Sequence, residues 1–580
     1  MHLPILKAFL VLCLAVIAAT SQAERPSSSS RSLFEKGVSQ LQKGDLAGAK
    51  LSFEKSLSLS PQNAQAHNSL GWVLFSQGKV NDAISHFRTA LKIQPTFVDA
   101  EVNLASAEAQ KGELVEASSA ARKAIHLDPQ NAEAHRTLGR ILSFSRDLDG
   151  AIAELRRASE LAPSRADLHD ELGSVLAQQQ KLFDAEEEFR TAVKINSQYE
   201  PAQMHLGVEL LTGGDEEGAL RALKQAVELN PIDPVAQFYL GSALEKTGKT
   251  DEAEQAYRRA SELKPDMAPA QTRLGLLLQR SGEPDKAAES FSKAVELTPE
   301  DPEAHNNLGL ALLQSGQGDA AIQEFQEALK RRPGDIDFQG NLGVAYLQKA
   351  DFDDAIQELR KALAQAPDKA DLHYNLGLAL KLKDDLPSAI AELRQATHLD
   401  PALVDAFYTL GVTLWQKGDF PEAAEALRSA VQIKPDYSEA YYTLGTVYKQ
   451  MNRLADATQA LREAIRLQPN FMGAHTTLAA VLRAQGDNVG ADRESRSADT
   501  LSRQKTNLQA ATFATNSGKR LLTVGDLPGA ISQFRNAIRM VPDYAPAHYQ
   551  LAIALTRSGQ KDEASAEFHK ASDLDPHLAP

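Results

Sequence analysis

Proline recurs in this chain at Pro61, Pro95, Pro129 and Pro163, then, past Ser197, at Pro231, Pro265, Pro299, Pro333, Pro367, Pro401, Pro435 and Pro469, and every step is 34 residues. A phrase repeated at this length folds as a repeated unit, and one such unit cannot bury its apolar face alone. With proline as position 32, positions 7 and 8 read Leu-Gly in Leu70-Gly71, Leu138-Gly139, Leu206-Gly207, Leu308-Gly309 and Leu444-Gly445. Position 20 is alanine in every repeat, from Ala49 to Ala564, and position 27 is alanine in all but the first, as at Ala90, Ala328 and Ala571.

Apolar residues at positions 3, 7, 11, 24 and 28 follow helical spacing, so each unit reads as two amphipathic helices. Small residues at positions 8, 20 and 27 let the helix backbones approach closely. Position 15 is often glycine (Gly78, Gly112, Gly248, Gly316, Gly418), which suits the left-handed residue that ends a helix. Proline ends the second helix, because it restricts the residue before it and donates no hydrogen bond.

Sixteen repeats follow from this register: fourteen over 30–505 and two more over 511–578, after a linker at 24–29. The beat breaks once. Position 32 of the fourteenth repeat is Arg503, position 24 is Ser495, and five residues, 506–510, shift the register. No Gly or Pro occurs from Ala491 to Ser517, which predicts one long helix there; a longer loop between two blocks is the alternative.

Charged residues make up 24% and apolar residues 43% of the chain, enough to build a core. The formal net charge of −15 argues against nucleic acid and anionic lipid as partners. Residues 1–23 read as a secretory signal: Lys7, an apolar run from Ala8 to Ala19, and small residues at Ser21 and Ala23. The run is too short to span a bilayer. The one cysteine, Cys13, lies inside it, and a lipoprotein signal there would need a small residue where Leu12 stands. No Asn-x-Ser/Thr sequon occurs, which leans towards a bacterial periplasm.

The period and the motif at positions 7–8, 20, 27 and 32 resemble the tetratricopeptide repeat. The resemblance implies an all-α, right-handed superhelical solenoid of helix-turn-helix units, whose first helices line a concave groove. Seven histidines, His67, His135, His169, His305, His373, His475 and His548, share position 4. Equivalent positions on stacked hairpins lie roughly 8–10 Å apart, too far to share a metal, so the row reads as packing. Asn307, Asn341 and Asn375 share position 6, with Asn306 beside the first, Asn103 alone earlier, and Thr409, Thr443 and Thr477 continuing the row. This ladder resembles the superhelix of O-linked N-acetylglucosamine transferases, whose asparagines hold an extended peptide. An amide both donates and accepts, so it pairs with any peptide unit. Tyr374, Tyr408 and Tyr442 share position 5, and Asp337, Asp371, Asp405 and Glu439 share position 2. The competing reading is that the amides bond neighbouring helices, the rings fill gaps, and the acids answer helix dipoles.

No zinc-protease motif, nucleophile elbow, phosphate-binding loop or Cys-x-x-Cys occurs. The expectation is an exported, non-enzymatic scaffold that uses no cofactor or metal and binds a protein or peptide through Asn306, Asn307, Asn341, Asn375, Tyr374, Tyr408 and Tyr442. Two rivals are a scaffold of an envelope polysaccharide-export or secretion assembly and a substrate-recruiting accessory of a glycosyltransferase. Export predicts cleavage after Ala23, so N-terminal sequencing of the mature protein should begin at Glu24; a mature chain starting at lipidated Cys13 would contradict it.

Overall fold

The computed structural model describes residues 27–578. Among them are 31 α-helices and no strand. None of these helices is long and apolar enough to cross a membrane. The expected signal segment, 1–23, lies outside the described residues. Residues 24–26 of the expected linker at 24–29 also lie outside the described residues. Ser27 caps a helix that begins at Ser28, accepting a hydrogen bond from the Ser30 amide.

The chain divides between Thr298 and Pro299 into two compact units. Each is a stack of hairpins with one plan. Helix A fills positions 1–13 and helix B positions 17–30, as in Ala132–Phe144 with Leu148–Leu161 in the first unit, and Pro302–Gln314 with Gly318–Arg331 in the second. The turn between them is set by its backbone. Position 15 is left-handed in every repeat, at φ 74° for Gly78 and 94° for Gly418. Arg146, Gln180, Ala350, Asp384 and Asn452 adopt it without being glycine. The Gly78 amide donates to the Phe75 carbonyl and the Lys79 amide to Leu74, both at 2.9 Å, which is a Schellman closure of helix A.

Packing between the two helices rests on an absent side chain. A Cβ at Gly309 would lie 2.6 Å from Cε1 of Phe325, and one at Gly343 would lie 2.7 Å from Cγ of Leu359. Phe325 and Leu359 are fully buried. The same relation joins position 8 to position 24 in Gly71 and Phe87, Gly241 and Tyr257, and Gly445 and Leu461. Where position 24 is small, position 8 carries a methyl group: Ala105 pairs with Ala121, and Ala479 with Ser495. Ala552 is the exception, and its partner Phe568 stays half-buried. The alanines at position 20 sit with at most 2% exposure, Ala321 and Ala355 among them.

The second unit contains the break. One helix of 36 residues, Asn488–Thr523, carries helix B of repeat fourteen straight into helix A of repeat fifteen. Residues 502–509 within it are all exposed. Position 3, buried under the preceding hairpin at Ala440 and Ala474, is Phe513 here and is 77% exposed. Ala491 belongs to the core with Leu461 and Leu478, whereas Leu522, Phe534, Leu551 and Leu555 form a separate cluster. The outer face of helix B in repeat fourteen is polar, with Arg496, Asp499 and Arg503 exposed. Repeat fourteen therefore caps one stack, and repeat fifteen starts another.

The interlock predicts a coupled pair. Gly309→Ala should cost about 1–3 kcal/mol through overpacking, and Phe325→Ala about 3–5 kcal/mol. The double variant should lose less than their sum by about 1 kcal/mol or more, because the truncated ring no longer meets the new methyl group. Urea unfolding of the full chain reads this, and strict additivity would contradict it.

Candidate functional site

Positions 2, 5, 6 and 9 share a face of helix A turned away from helix B. In the second unit this face runs through repeats nine to thirteen. Its amides and hydroxyls first meet one another. Asn341 Nδ2 donates to Asn306 Oδ1 at 2.9 Å, so position 6 of one repeat reaches back to position 5 of the previous one. Tyr374 stands at the same step from Thr409, and burial is the main cause that raises its phenol pKa above the ordinary value. Asn307 and Asn375 are half-buried and have no hydrogen-bond partner among the described residues. Two of the three threonines that continue the row turn inward. Thr409 and Thr443 are buried, and Thr443 Oγ1 donates to the Glu439 carbonyl at 2.8 Å.

Two of the tyrosines are backed by aromatics that close their own repeats. Tyr408 lies 5.0 Å from Tyr437, and Tyr442 lies 4.8 Å from Phe471, centroid to centroid. Burial, reinforced by Tyr408, pushes the Tyr437 phenol up to about 12. Lys434 Nζ sits 5.1 Å over the Tyr437 ring. At the N-terminal edge Asp337, Asp371, Asp405 and Glu439 are all exposed. Asp337 meets Lys369 at 3.4 Å, and Glu439 accepts from Ser438 Oγ at 2.9 Å. Asp371 and Asp405 have neither hydrogen bond nor ion pair among the described residues.

The first unit uses the same step differently. Asn103 donates to Asn68 at 2.9 Å, Arg136 clasps Glu171 through two nitrogens at 2.6 and 2.9 Å, and His205 meets Asp170 at 2.8 Å. Burial opposes the His205 charge, but the Asp170 carboxylate outweighs it and raises the imidazole pKa. Burial alone would likewise raise the Asp167 carboxyl, yet the hydrogen bond from Arg165 and the charge of Arg136 hold it below its usual range. The six groups of those three cross-repeat pairs are consumed by each other.

The histidine row is a tie between hairpins. Nδ1 of His135, His169, His305, His373 and His475 lies 2.6 Å from a glutamate at position 23: Glu154, Glu188, Glu324, Glu392 and Glu494. His548 meets Glu567 in the same way. Nε2 of His305, His373 and His475 is 3.0 Å from the carbonyl of the preceding Pro299, Pro367 and Pro469. A carbonyl only accepts, so Nε2 is the donor. Gln203 and Gln237 do the same work, donating to the Ser197 and Pro231 carbonyls at 3.1 and 3.3 Å. His67 differs, for its Nδ1 faces Nδ1 of His86 at 2.9 Å, and burial lowers the pKa of both rings. Among the described residues no group of three or more His, Cys, Asp or Glu could hold a metal ion.

The position-23 glutamates, Tyr437 and Phe471 escaped the sequence reading. The first had a signal: glutamate stands 19 residues after six of the seven histidines. Tyr437 and Phe471 sit at position 34, outside the motif, and gave none.

A family model for the cilia and flagella-associated protein 70 C-terminal domain matches residues 300–514. Tetratricopeptide-repeat models match 34–96 and 206–268, 280–316, and 74–141, 109–172 and 521–579. Among solved structures, the Cut9–Hcn1 hetero-tetramer of the APC/C shares 16% identity, covering 78% of this chain and 96% of that one, with a TM-score of 0.36. Yeast Tom70 shares 16%, covering 83% and 97%, with a TM-score of 0.33. YrrB, a TPR protein with an unusual peptide-binding site, shares 26%, covering 32% and 96%, with a TM-score of 0.29. No curated protein matches the chain. With repeat models matched along the chain and the 34-residue hairpin seen in both units, the chain belongs to the tetratricopeptide-repeat family.

Proposed function

We propose that this chain is a non-catalytic scaffold that binds a protein or peptide partner along the helix-A face of repeats nine to thirteen. Its fold is that of a protein-interaction scaffold. The observation that carries the reading is the contrast between repeats two to six and repeats nine to eleven. In the former, Asn68 with Asn103, Arg136 with Glu171 and Asp170 with His205 pair across positions 5 and 6; in the latter, Asn307 and Asn375 keep free amides, and a row of tyrosines begins at Tyr374. An extended peptide presents N–H and C=O groups that an amide can answer together. The Asn341–Asn306 pair belongs to the wall that holds this row in register. No cofactor or metal takes part. Action in the periplasm or outside the cell rests on the signal-like residues 1–23 and on Ala23 as the cleavage point.

Peptides selected on the full chain from a random displayed library test the site. Asn307→Ala with Asn375→Ala should weaken a selected peptide by about 1–3 kcal/mol, or roughly five- to 150-fold. The melting temperature should not move, because neither amide is bonded within the chain. Unchanged affinity, or a lowered melting temperature with unchanged affinity, would make the row structural.

A further inference from the structure

We propose that the ligand of this face is an extended, proline-rich peptide carrying a basic side chain at about every third residue. The inference rests on the reading above and gives its partner a chemistry. The first argument is spacing. Adjacent helix-A rows are stitched side by side, as by the 2.9 Å bond from Asn341 to Asn306, so equivalent positions recur at about one helix-packing distance, roughly 8–10 Å. A polyproline II chain returns the same face every three residues, about 9.3 Å. A β-strand returns it every two residues, about 6.6–6.8 Å, and an α-helix every turn, about 5.4 Å. Only the first keeps step with the repeats.

The second argument is the surface. Tyr408 and Tyr442 are held from behind by Tyr437 and Phe471. Rings fixed in this way offer flat faces at little entropic cost, which suits the rigid rings of a polyproline chain. The free amides of Asn307 and Asn375 answer its carbonyls. Charge runs along the same row. Asp371, Asp405 and Glu439 stand exposed on three successive repeats with no cation paired to them among the described residues. Lys434 over the Tyr437 ring is an internal example of the cation this surface accepts. The basic side chains of the ligand belong on this acidic edge.

Fluorescence anisotropy with the full chain tests this with labelled repeats of about fifteen residues, five polyproline turns: Pro-Pro-Lys, Pro-Pro-Glu and Gly-Ser-Lys. Pro-Pro-Lys should bind at least about tenfold tighter than either of the others and weaken with salt. Asp371→Asn, Asp405→Asn and Glu439→Gln together should lower its affinity about tenfold, with helicity by circular dichroism unchanged. Equal binding of Pro-Pro-Lys and Pro-Pro-Glu, or indifference to the three acid substitutions, would overturn the basic partner. Equal binding of Gly-Ser-Lys would overturn the polyproline form. If selected peptides still depend on Asn307 and Asn375 while these probes show no preference, this inference falls and the binding face stands. If neither class of peptide depends on the two asparagines, both fall.

Discussion

The structure depends on a contact that exists because one side chain is missing. At position 8 the backbone of helix A lies so close to helix B that a Cβ would meet the position-24 side chain at 2.4–2.7 Å. The glycine forgoes helix propensity, about 0.8–1.0 kcal/mol relative to alanine. In return a large side chain is enclosed completely, as Phe53, Phe87, Phe291 and Phe325 are. Such burial contributes about 1.5–3 kcal/mol per side chain. The exchange is reciprocal within the chain: Ala121 and Ser495 leave room, and Ala105 and Ala479 fill it. The alanines at position 20 keep the facing surface flat enough for the same approach.

That contact fixes one hairpin, and the turn fixes its hand-over to the next helix. The left-handed residue at position 15 appears even where the side chain is Arg146, Gln180 or Ala350, which disfavour it. Tertiary packing therefore imposes the turn more firmly than local preference does. The helix-A outer positions recur in one register as a result, and side chains 35 residues apart become neighbours, as in Asn306 with Asn341 and Asn68 with Asn103. A linear row of chemistry on this face follows from the interlock beneath it. Where the rule lapses, at Ser495 and Arg503, the stack ends in a polar face, and a lone helix carries the chain to the next pair of hairpins.

The architecture was legible because each motif position has one physical task. Gly309, Ala321 and Pro333 could be assigned theirs from spacing alone, and both helices of their repeat fall on that register. The site was legible as positions and much less as roles. Asn341 stands where the amide ladder has it, yet it spends a donor on Asn306, and Thr409 and Thr443 turn inward. Which amide is spent internally depends on contacts between neighbouring repeats, and period alone does not show them. The histidines read as packing, and their structural work is more specific than that. They join position 23 to the carbonyl of the preceding turn, a link between Glu324, His305 and Pro299 that is visible only when three distant positions are read together. Phe513 was placed in a repeat by its register, but its exposure comes from the five residues that separate two stacks.

Native-state hydrogen exchange along the full chain tests the interlock most directly, because repeat arrays open locally and each hairpin reports its own contacts. The account predicts the strongest amide protection in repeats four to thirteen, where position 24 is a large side chain against glycine, from Leu155 through Phe325 to Leu461. Protection should dip in repeat three, at Ala105 and Ala121, and be lowest from Ser495 through the exposed residues 502–509. Protection that depends only on distance from the chain ends, with repeat three as slow to exchange as repeats four to thirteen, would contradict the claim that this contact holds the hairpins together.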